Sequence, residues 1–412
     1  MKTYAPVTEA VLEDLKTIVG AEYVLTEPEK LEQYQTDEET DPRKFHLPEA
    51  VVLPKDAQEI AAVIKLANTY DVPVTVRSGG TSLAGGAIPV CGGIVLLMER
   101  LNKIIELNAE GMYMEVEAGV RTVDIQKYAN EAGFLYAGDP CSAESCLIGG
   151  NIATNAGGNK AVRYGVTRDQ VYAVEVVTPT GEIVELGARL KKKSTGYCLE
   201  QLIMGSEGTL GIITKATLKL QPIPPYRFDL LAVFSDPEQA LDVVPKIMQA
   251  GINPTSVEYM DNSYVRGTAD YLEFKGAPHY ENGIYVIITV ETFSEDELDL
   301  KMEQLDELCS AAGAVDVLEA DERIWDMRRN CQESVRLISL VSLTDDVVVP
   351  VNEIAGTIKF IMKIGEKYPF PVKINAQNGD GNLHILSHIH NSEPTRRSYI
   401  SYAGFCLKKK RG

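Results

Sequence analysis

The short β-branched run Val74–Arg77 leads directly into Ser78-Gly79-Gly80-Thr81-Ser82-Leu83-Ala84-Gly85-Gly86, and no helix signal follows that loop. Adjacent glycines let consecutive backbone N–H groups converge on an anion, and they let a pyrophosphate lie close to the main chain. A Rossmann-type dinucleotide loop needs GxGxxG opening a helix. Here the loop runs instead into Ile88-Pro89 and the apolar strand IVLLM, so that reading fails. No GxxxxGKS/T occurs, which excludes a P-loop. Taken alone, the loop is also compatible with a glycine-rich surface turn.

Two further segments narrow the choice. Gly149-Gly150-Asn151-Ile152-Ala153-Thr154-Asn155-Ala156-Gly157-Gly158 is dense in small residues and side-chain amides, and Gly205-Ser206-Glu207-Gly208-Thr209-Leu210-Gly211-Ile212-Ile213 repeats the character. Such segments present main chain at close range to a flat, polar ring system. Between them the patterning reads as ordinary structure. AVVLP, the helical stretch from Asp56 to Tyr70 and VPVTV read as strand, helix, strand, with Asp56 a candidate N-cap. MYMEVEAG alternates as a strand, and Thr122–Ala132 reads as a helix ended by Gly133. VYAVEVVTPTGEIVELG reads as a hairpin about Pro-Thr-Gly.

The motifs RSGGTSLAGG, SCLIGGNIATNAGG and GSEGTLGIIT together resemble the FAD-binding domain of the vanillyl-alcohol-oxidase/PCMH type. The resemblance spans about 46–224, extends through about 385, and is closest to the bacterial D-lactate dehydrogenase and glycolate oxidase flavin-subunit group. It implies an α+β chain: a PCMH-type FAD-binding domain of two α/β subdomains, then an α+β substrate (cap) domain with an antiparallel sheet. By resemblance, Arg77, Ser78, Gly79, Gly80, Thr81, Ser82 and Gly85 are expected at the FAD pyrophosphate. Pro140, Ser145, Gly149, Gly150, Asn155 and Gly158 are expected to flank the isoalloxazine, with Glu207, Gly211 and Ile213 completing the pocket. Relatives that tether FAD carry His where Thr81 stands, so the flavin is expected to be non-covalent.

The IPP stretch at 223–225 suggests a boundary, and 226–385 alternate strand and helix signals with little glycine. Within them, Glu322-Arg323-Ile324-Trp325-Asp326-Met327-Arg328-Arg329 resembles the family's WxxR segment, which makes Arg328 the candidate clamp for a substrate carboxylate. The planar guanidinium fork suits two carboxylate oxygens; the plain alternative is a surface arginine in an acidic helix. Asp345-Asp346-Val347-Val348-Val349-Pro350 also resembles the lactate/glycolate group. Gly379-Asp380-Gly381-Asn382-Leu383-His384 resembles HAGDGNLH, whose two His bind a divalent metal such as Zn or Mn in the family. His384 matches the second ligand, but Gln377 occupies the first position and Asn378 stands where Ala is usual. The resemblance therefore leaves the metal open. It places a further Glu ligand and a general-base His downstream of His384.

From Leu386 the chain reads LSHIHNSEPTRRSYISYAGFCLKKKRG, which resembles a translated sequencing-library adapter. Residues 386–412 are accordingly expected to be foreign, the substrate domain 225–385 to be incomplete, and His388, His390 and Cys406 to carry no role. Residues 1–45 are expected to form a helical segment starting near Thr8.

The net charge of −19 argues against nucleic acid and against docking on anionic lipid through charge alone. No apolar run approaches the roughly eighteen residues of a membrane span. The N-terminus carries acids where a signal peptide is basic, and the seven cysteines form no CxxC. Cys141 and Cys146 read as small packing residues. A cytoplasmic protein is expected, or one held at a membrane through a partner. The function implied is oxidation of D-lactate or glycolate to the 2-oxo acid, with electrons passing to an electron-transfer flavoprotein, an iron–sulfur subunit or a quinone. Oxidation of another hydroxy acid such as 2-hydroxyglutarate, and a flavin-binding electron-transfer subunit without its own turnover, stay open.

Overall fold

The computed structural model describes residues 3–39, 41–336, 342–367, 372–377 and 379–388. Asn378, His390 and Cys406 lie outside them. The chain divides between Ile223 and Pro224 into two units, inside the IPP stretch.

The first unit holds β1 (Val24–Leu25), β2 (Ala50–Val52), β3 (Val74–Arg77), β4 (Ile94–Leu97), β5 (Ile104–Asn108), β6 (Tyr113–Glu117), β7 (Phe134–Leu135), β8 (Val171–Val177), β9 (Ile183–Gly187), β10 (Ile212–Lys219) and β11 (Gln221–Pro222). One sheet runs β1-β2-β4-β3, with β2, β4 and β3 parallel and β1 antiparallel. A second, wholly antiparallel sheet runs β5-β6-β10-β8-β9. β7 and β11 form a separate short ladder.

The helix Ala57–Tyr70 forms where its apolar residues recur at helical spacing. The Asp56 carboxylate caps it by accepting from the Glu59 amide at 2.9 Å. It buries Ile60, Val63, Ile64 and Ala67, each larger side chain contributing about 1.5–3 kcal/mol of transfer free energy. The N-terminal helix Glu9–Val19 is capped by Thr8, as its sequence indicates, and buries Val11, Leu15 and Val19 in the same core. The helix Thr122–Glu131 stops before Gly133, which adopts φ +83°. The expected hairpin is β8–β9, with Gly181 at φ +78° in its turn. Strand β5 carries no clean alternation in its sequence, and none of its residues is fully buried.

The second unit holds β12 (Tyr226–Phe234), β13 (Ser256–Met260), β14 (Ile284–Thr292), β15 (Asp316–Glu319), β16 (Ser342–Val348), β17 (Val372–Gln377) and β18 (Asn382–His388) in one antiparallel sheet of order β15-β12-β14-β13-β17-β18-β16. Strand β18 continues through His388, past the boundary expected at 386. One sheet face packs on the helices Pro237–Gln249, Glu295–Ala311 and Ile354–Gly365. The other carries Asn262–Tyr271, Glu322–Arg329 and Cys331–Arg336. Among the described residues, no helix is long and apolar enough to cross a membrane.

Candidate functional site

In the first unit, the loop after β3 turns under a cleft of about 220 Å³. Ser78, Gly79, Gly80, Thr81 and Ser82 line it, as do Gly149, Gly150, Glu207, Gly211 and Ile213. Ten residues read from three separated motifs thus meet around one cavity. At two of the glycines the first and second segments meet directly. A Cβ on Gly79 would stand 2.6 Å from the Ser145 carbonyl oxygen, and one on Gly150 would stand 2.9 Å from Ser78 Cβ. The second segment can nest beneath the first only because neither side chain exists.

The cleft suits an FAD. Among the described residues, the backbone N–H groups of Gly79, Gly80, Thr81 and Ser82 find no acceptor within the protein. Buried or half-buried amides left this way are unusual unless a ligand takes them, and a run of them forms an anion cradle. Glu207 is the one carboxylate lining the cleft, held at φ +52° with its amide donating to the Ala153 carbonyl. A carboxylate repels a pyrophosphate, so its chemistry matches a hydroxyl or ring N–H donor of the cofactor instead.

Six expected residues stand outside the cleft. Arg77 Nη1 donates to the Thr36 carbonyl at 2.6 Å and its guanidinium stacks 5.6 Å from the Tyr34 ring. Burial pushes that guanidinium down and the nearby Asp37 carboxyl up, with each charge countering the shift of the other. Arg77 therefore ties the loop to the N-terminal segment, where the Glu38 amide also donates to the Ser82 carbonyl. Asn155 is the left-handed cap of the helix Ile148–Thr154, and its Oδ1 accepts from the Arg168 amide. Gly158 packs on the Asp139–Pro140 backbone, which leaves both it and Pro140 outside. Gly85 turns the loop at φ +77°, and its neighbour Gly86 lines the cleft. Ser145 faces a second cleft of about 560 Å³ together with Glu99, Arg121 and Asp124.

The structure adds Ser142, Asn151, Thr154 and Gly208 to the lining. Helical periodicity gave no signal for Asn151, which lies three residues from Ile148 and is buried with it and Ile152. Asn151 is oriented by its Nδ2 donating to Thr122 Oγ1 at 2.7 Å, and Cys146 Sγ lies 3.2 Å from that hydroxyl. Cys146 is buried and Cys141 exposed, and neither is joined in a disulfide.

In the second unit, β13, β17, β18 and β16 carry polar residues on one face. Register aligns Glu258, Gln377, Asn382 and Val348 on one rung. The next rung on that face holds Met260, Asn375, His384 and Asp346. Arg328, on the helix Glu322–Arg329 capped by Asp321, is 6% exposed. Its Nε donates to Glu258 Oε2 at 2.7 Å, and its Nη2 lies 2.6 Å from the same oxygen. The candidate clamp is therefore a buried, paired group and not a surface arginine. Among the described residues, Asn375 Oδ1, Asn382 Oδ1, Tyr264 Oη and Trp325 Nε1 are buried without a hydrogen-bond partner. Lys373, on the same side of β17, is also buried, its ammonium 5.6 Å from the Tyr264 ring centre. Burial pushes that ammonium down and Asp261 counters it.

His384 Nδ1 bonds the Asp346 carboxylate. Burial pushes Asp380 up to about 6, and Glu258 adds to the shift while His384 opposes it. Among the described residues, no cluster of three or more His, Cys, Asp and Glu could hold a metal. With Gln377 in the first ligand position, His384 and Asp346 are too few donors among the described residues to make a Zn or Mn site.

The comparisons agree with this geometry. Residues 48–187 match the family model described as an FAD binding domain, and 223–401 match that of FAD linked oxidases, C-terminal domain. The chain is 37% identical over 396 residues to a D-lactate dehydrogenase of Anaerostipes hadrus, covering 93% of this chain and 82% of that protein. It is 34% identical over 369 residues to glycolate oxidase subunit GlcD of Bacillus subtilis (strain 168), covering 88% and 78%. In fold it resembles p-cresol methylhydroxylase with substrate bound, with TM-score 0.81 at 17% identity over 99% of this chain and 88% of that one.

Proposed function

The chain belongs to the FAD-linked oxidases, and on that premise we propose that it oxidises a small 2-hydroxy acid, D-lactate or glycolate, to the 2-oxo acid. FAD, when bound, supplies the two-electron acceptor that this oxidation needs. Gly79, Gly80, Thr81 and Ser82 would hold its pyrophosphate through their uncommitted amides, and Ser78, Gly149, Gly150, Glu207, Gly211 and Ile213 would line the rest. Thr81 offers no imidazole for a covalent tether, so the cofactor is held non-covalently.

Arg328 binds the substrate carboxylate in this reading, and binding orients the hydroxyl and C2–H for reaction. We propose His384 as the acceptor of the hydroxyl proton, in place of the general-base His that the resemblance expects downstream of it. The Asp346 carboxylate on its Nδ1 fixes the tautomer that leaves Nε2 as the acceptor. Electrons leave for a separate acceptor, an electron-transfer flavoprotein, an iron–sulfur subunit or a quinone. The observation that carries the reading is a buried arginine locked on the sheet face that also bears His384.

The experiment is anaerobic mixing of the purified flavoprotein with D-lactate or glycolate. Bleaching of the flavin absorbance by either supports the reading. Yellow protein that no 2-hydroxy acid bleaches refutes it and favours an electron-transfer subunit.

A further inference from the structure

We propose that the second cleft of the first unit receives a quinone, so that the electron acceptor is a small neutral molecule entering beside the cofactor and not a redox protein. The inference rests on the reading that FAD occupies the neighbouring cleft.

Position gives the first argument. The second cleft, of about 560 Å³, shares Gly79 and Leu147 with the cofactor cleft. The two cavities therefore have a common wall one residue thick, and a ligand in one lies close to a cofactor in the other. An occupant of the second cleft is placed to exchange electrons with FAD.

Charge narrows the occupant. Glu99 and Asp124 face the cleft against one cation, Arg121, and Glu144 acts on that guanidinium from nearby. Asp124 engages Arg121 side-on, accepting from Nε at 2.8 Å and from Nη2 at 2.9 Å. The surplus charge is negative, which disfavours a hydroxy acid or a phosphate and admits a neutral ligand.

Uncommitted donors over apolar walls narrow it further. Arg121 caps the helix Thr122–Glu131, Asp124 lies in its first turn, and the Arg121 backbone is bridged to Leu147. The guanidinium is thus held at its backbone and at one edge. Among the described residues its Nη1 makes no hydrogen bond, and neither does the Asn102 side chain. Val120 and Leu147 are buried and Ile104 half-buried, which gives a ring apolar surface to lie on. N–H donors beside such walls suit a flat ring carrying carbonyl oxygens. In the reaction both carbonyls become hydroxyls. The quinone takes two electrons and two protons in all from reduced FAD, which returns to its oxidised form.

The test uses the full FAD-loaded chain with duroquinone, whose ring is fully substituted and does not add to thiols. Its affinity for the oxidised protein is read by equilibrium dialysis. Its reaction with protein reduced by dithionite is read by stopped flow, with ferricyanide as an acceptor that needs no cleft. We expect R121M to weaken duroquinone about tenfold or more, the scale of one hydrogen bond from a charged donor. N102W, which fills the cleft without changing its charge, should weaken it at least as much and leave ferricyanide reoxidation within twofold. Both variants should bind FAD as the wild type does. Duroquinone affinity within twofold of wild type in either folded variant would overturn the proposal. So would an equal loss of FAD affinity, which would assign the cleft to the cofactor. Wild-type protein that binds FAD but neither binds nor reduces duroquinone refutes this inference alone and leaves a protein acceptor. If R121M does not fold, N102W decides. A chain that takes up no FAD removes the cofactor reading and this inference with it.

Discussion

Glu258 Oε2 accepts the Nε–H of Arg328 at 2.7 Å across 70 residues of sequence, with both side chains sealed from solvent. The pair joins the middle of a sheet to the end of a helix laid over it. Removing one partner takes a buried countercharge from the other. E258L alone should therefore cost about 3–5 kcal/mol of stability, whereas E258L/R328M should cost far less. Urea denaturation of the two variants checks this. Equal losses would show that the site tolerates an uncompensated guanidinium.

Gly79 has no room for a methyl group, since its Cβ would stand 2.6 Å from the Ser145 carbonyl oxygen. Either the first loop or the second segment must shift in G79A, and both line the cleft. We expect FAD affinity to fall about tenfold or more, roughly 1.4 kcal/mol, with far-ultraviolet circular dichroism unchanged. Flavin titration of the apoprotein reads it directly. Wild-type affinity would mean that the loop's position is immaterial.

Asp380 carries a pH dependence with a definite sign. Its carboxyl is raised from an ordinary 3.8 to about 6, chiefly by burial. A raised folded-state value means the contribution to stability is whole below about pH 4 and is lost as pH climbs through about 6. At pH 7 the ionised group costs at most about 3 kcal/mol, two units at roughly 1.36 each. D380N should melt higher than wild type at pH 7, and the gap should close near pH 4. A gap that stays constant over that range would contradict the assignment.

Among the described residues Tyr264 Oη is buried without a hydrogen-bond partner, and burial raises its hydroxyl well above the ordinary tyrosine range. Deleting an unpaired buried hydroxyl leaves nothing newly unsatisfied. Y264F should match wild-type stability to within about 0.5 kcal/mol, or exceed it. A loss above about 1 kcal/mol would reveal a partner to that hydroxyl, which hydrogen exchange could then locate.

Local grammar was enough for much of this protein. The caps at Thr8 and Asp56, the Gly133 stop, the β8–β9 hairpin and three glycine-rich segments each declare themselves within a few residues, because helix ends, turns and close main-chain approaches depend on neighbouring dihedrals. Family resemblance then joined the three segments into one cofactor cleft. Which polar groups face that cleft is another matter. Arg77 and Asn155 carry motif positions yet turn away, one to the Thr36 carbonyl and the other to cap a helix, because hydrogen-bond partners 41 and 13 residues distant claim them. Likewise nothing near Trp325 announces that Arg328 will meet Glu258. That contact exists only once β13 has found β14 and β17 and a helix has settled on the face they make, so strand register and packing, and no property of either segment alone, decide where the charge points.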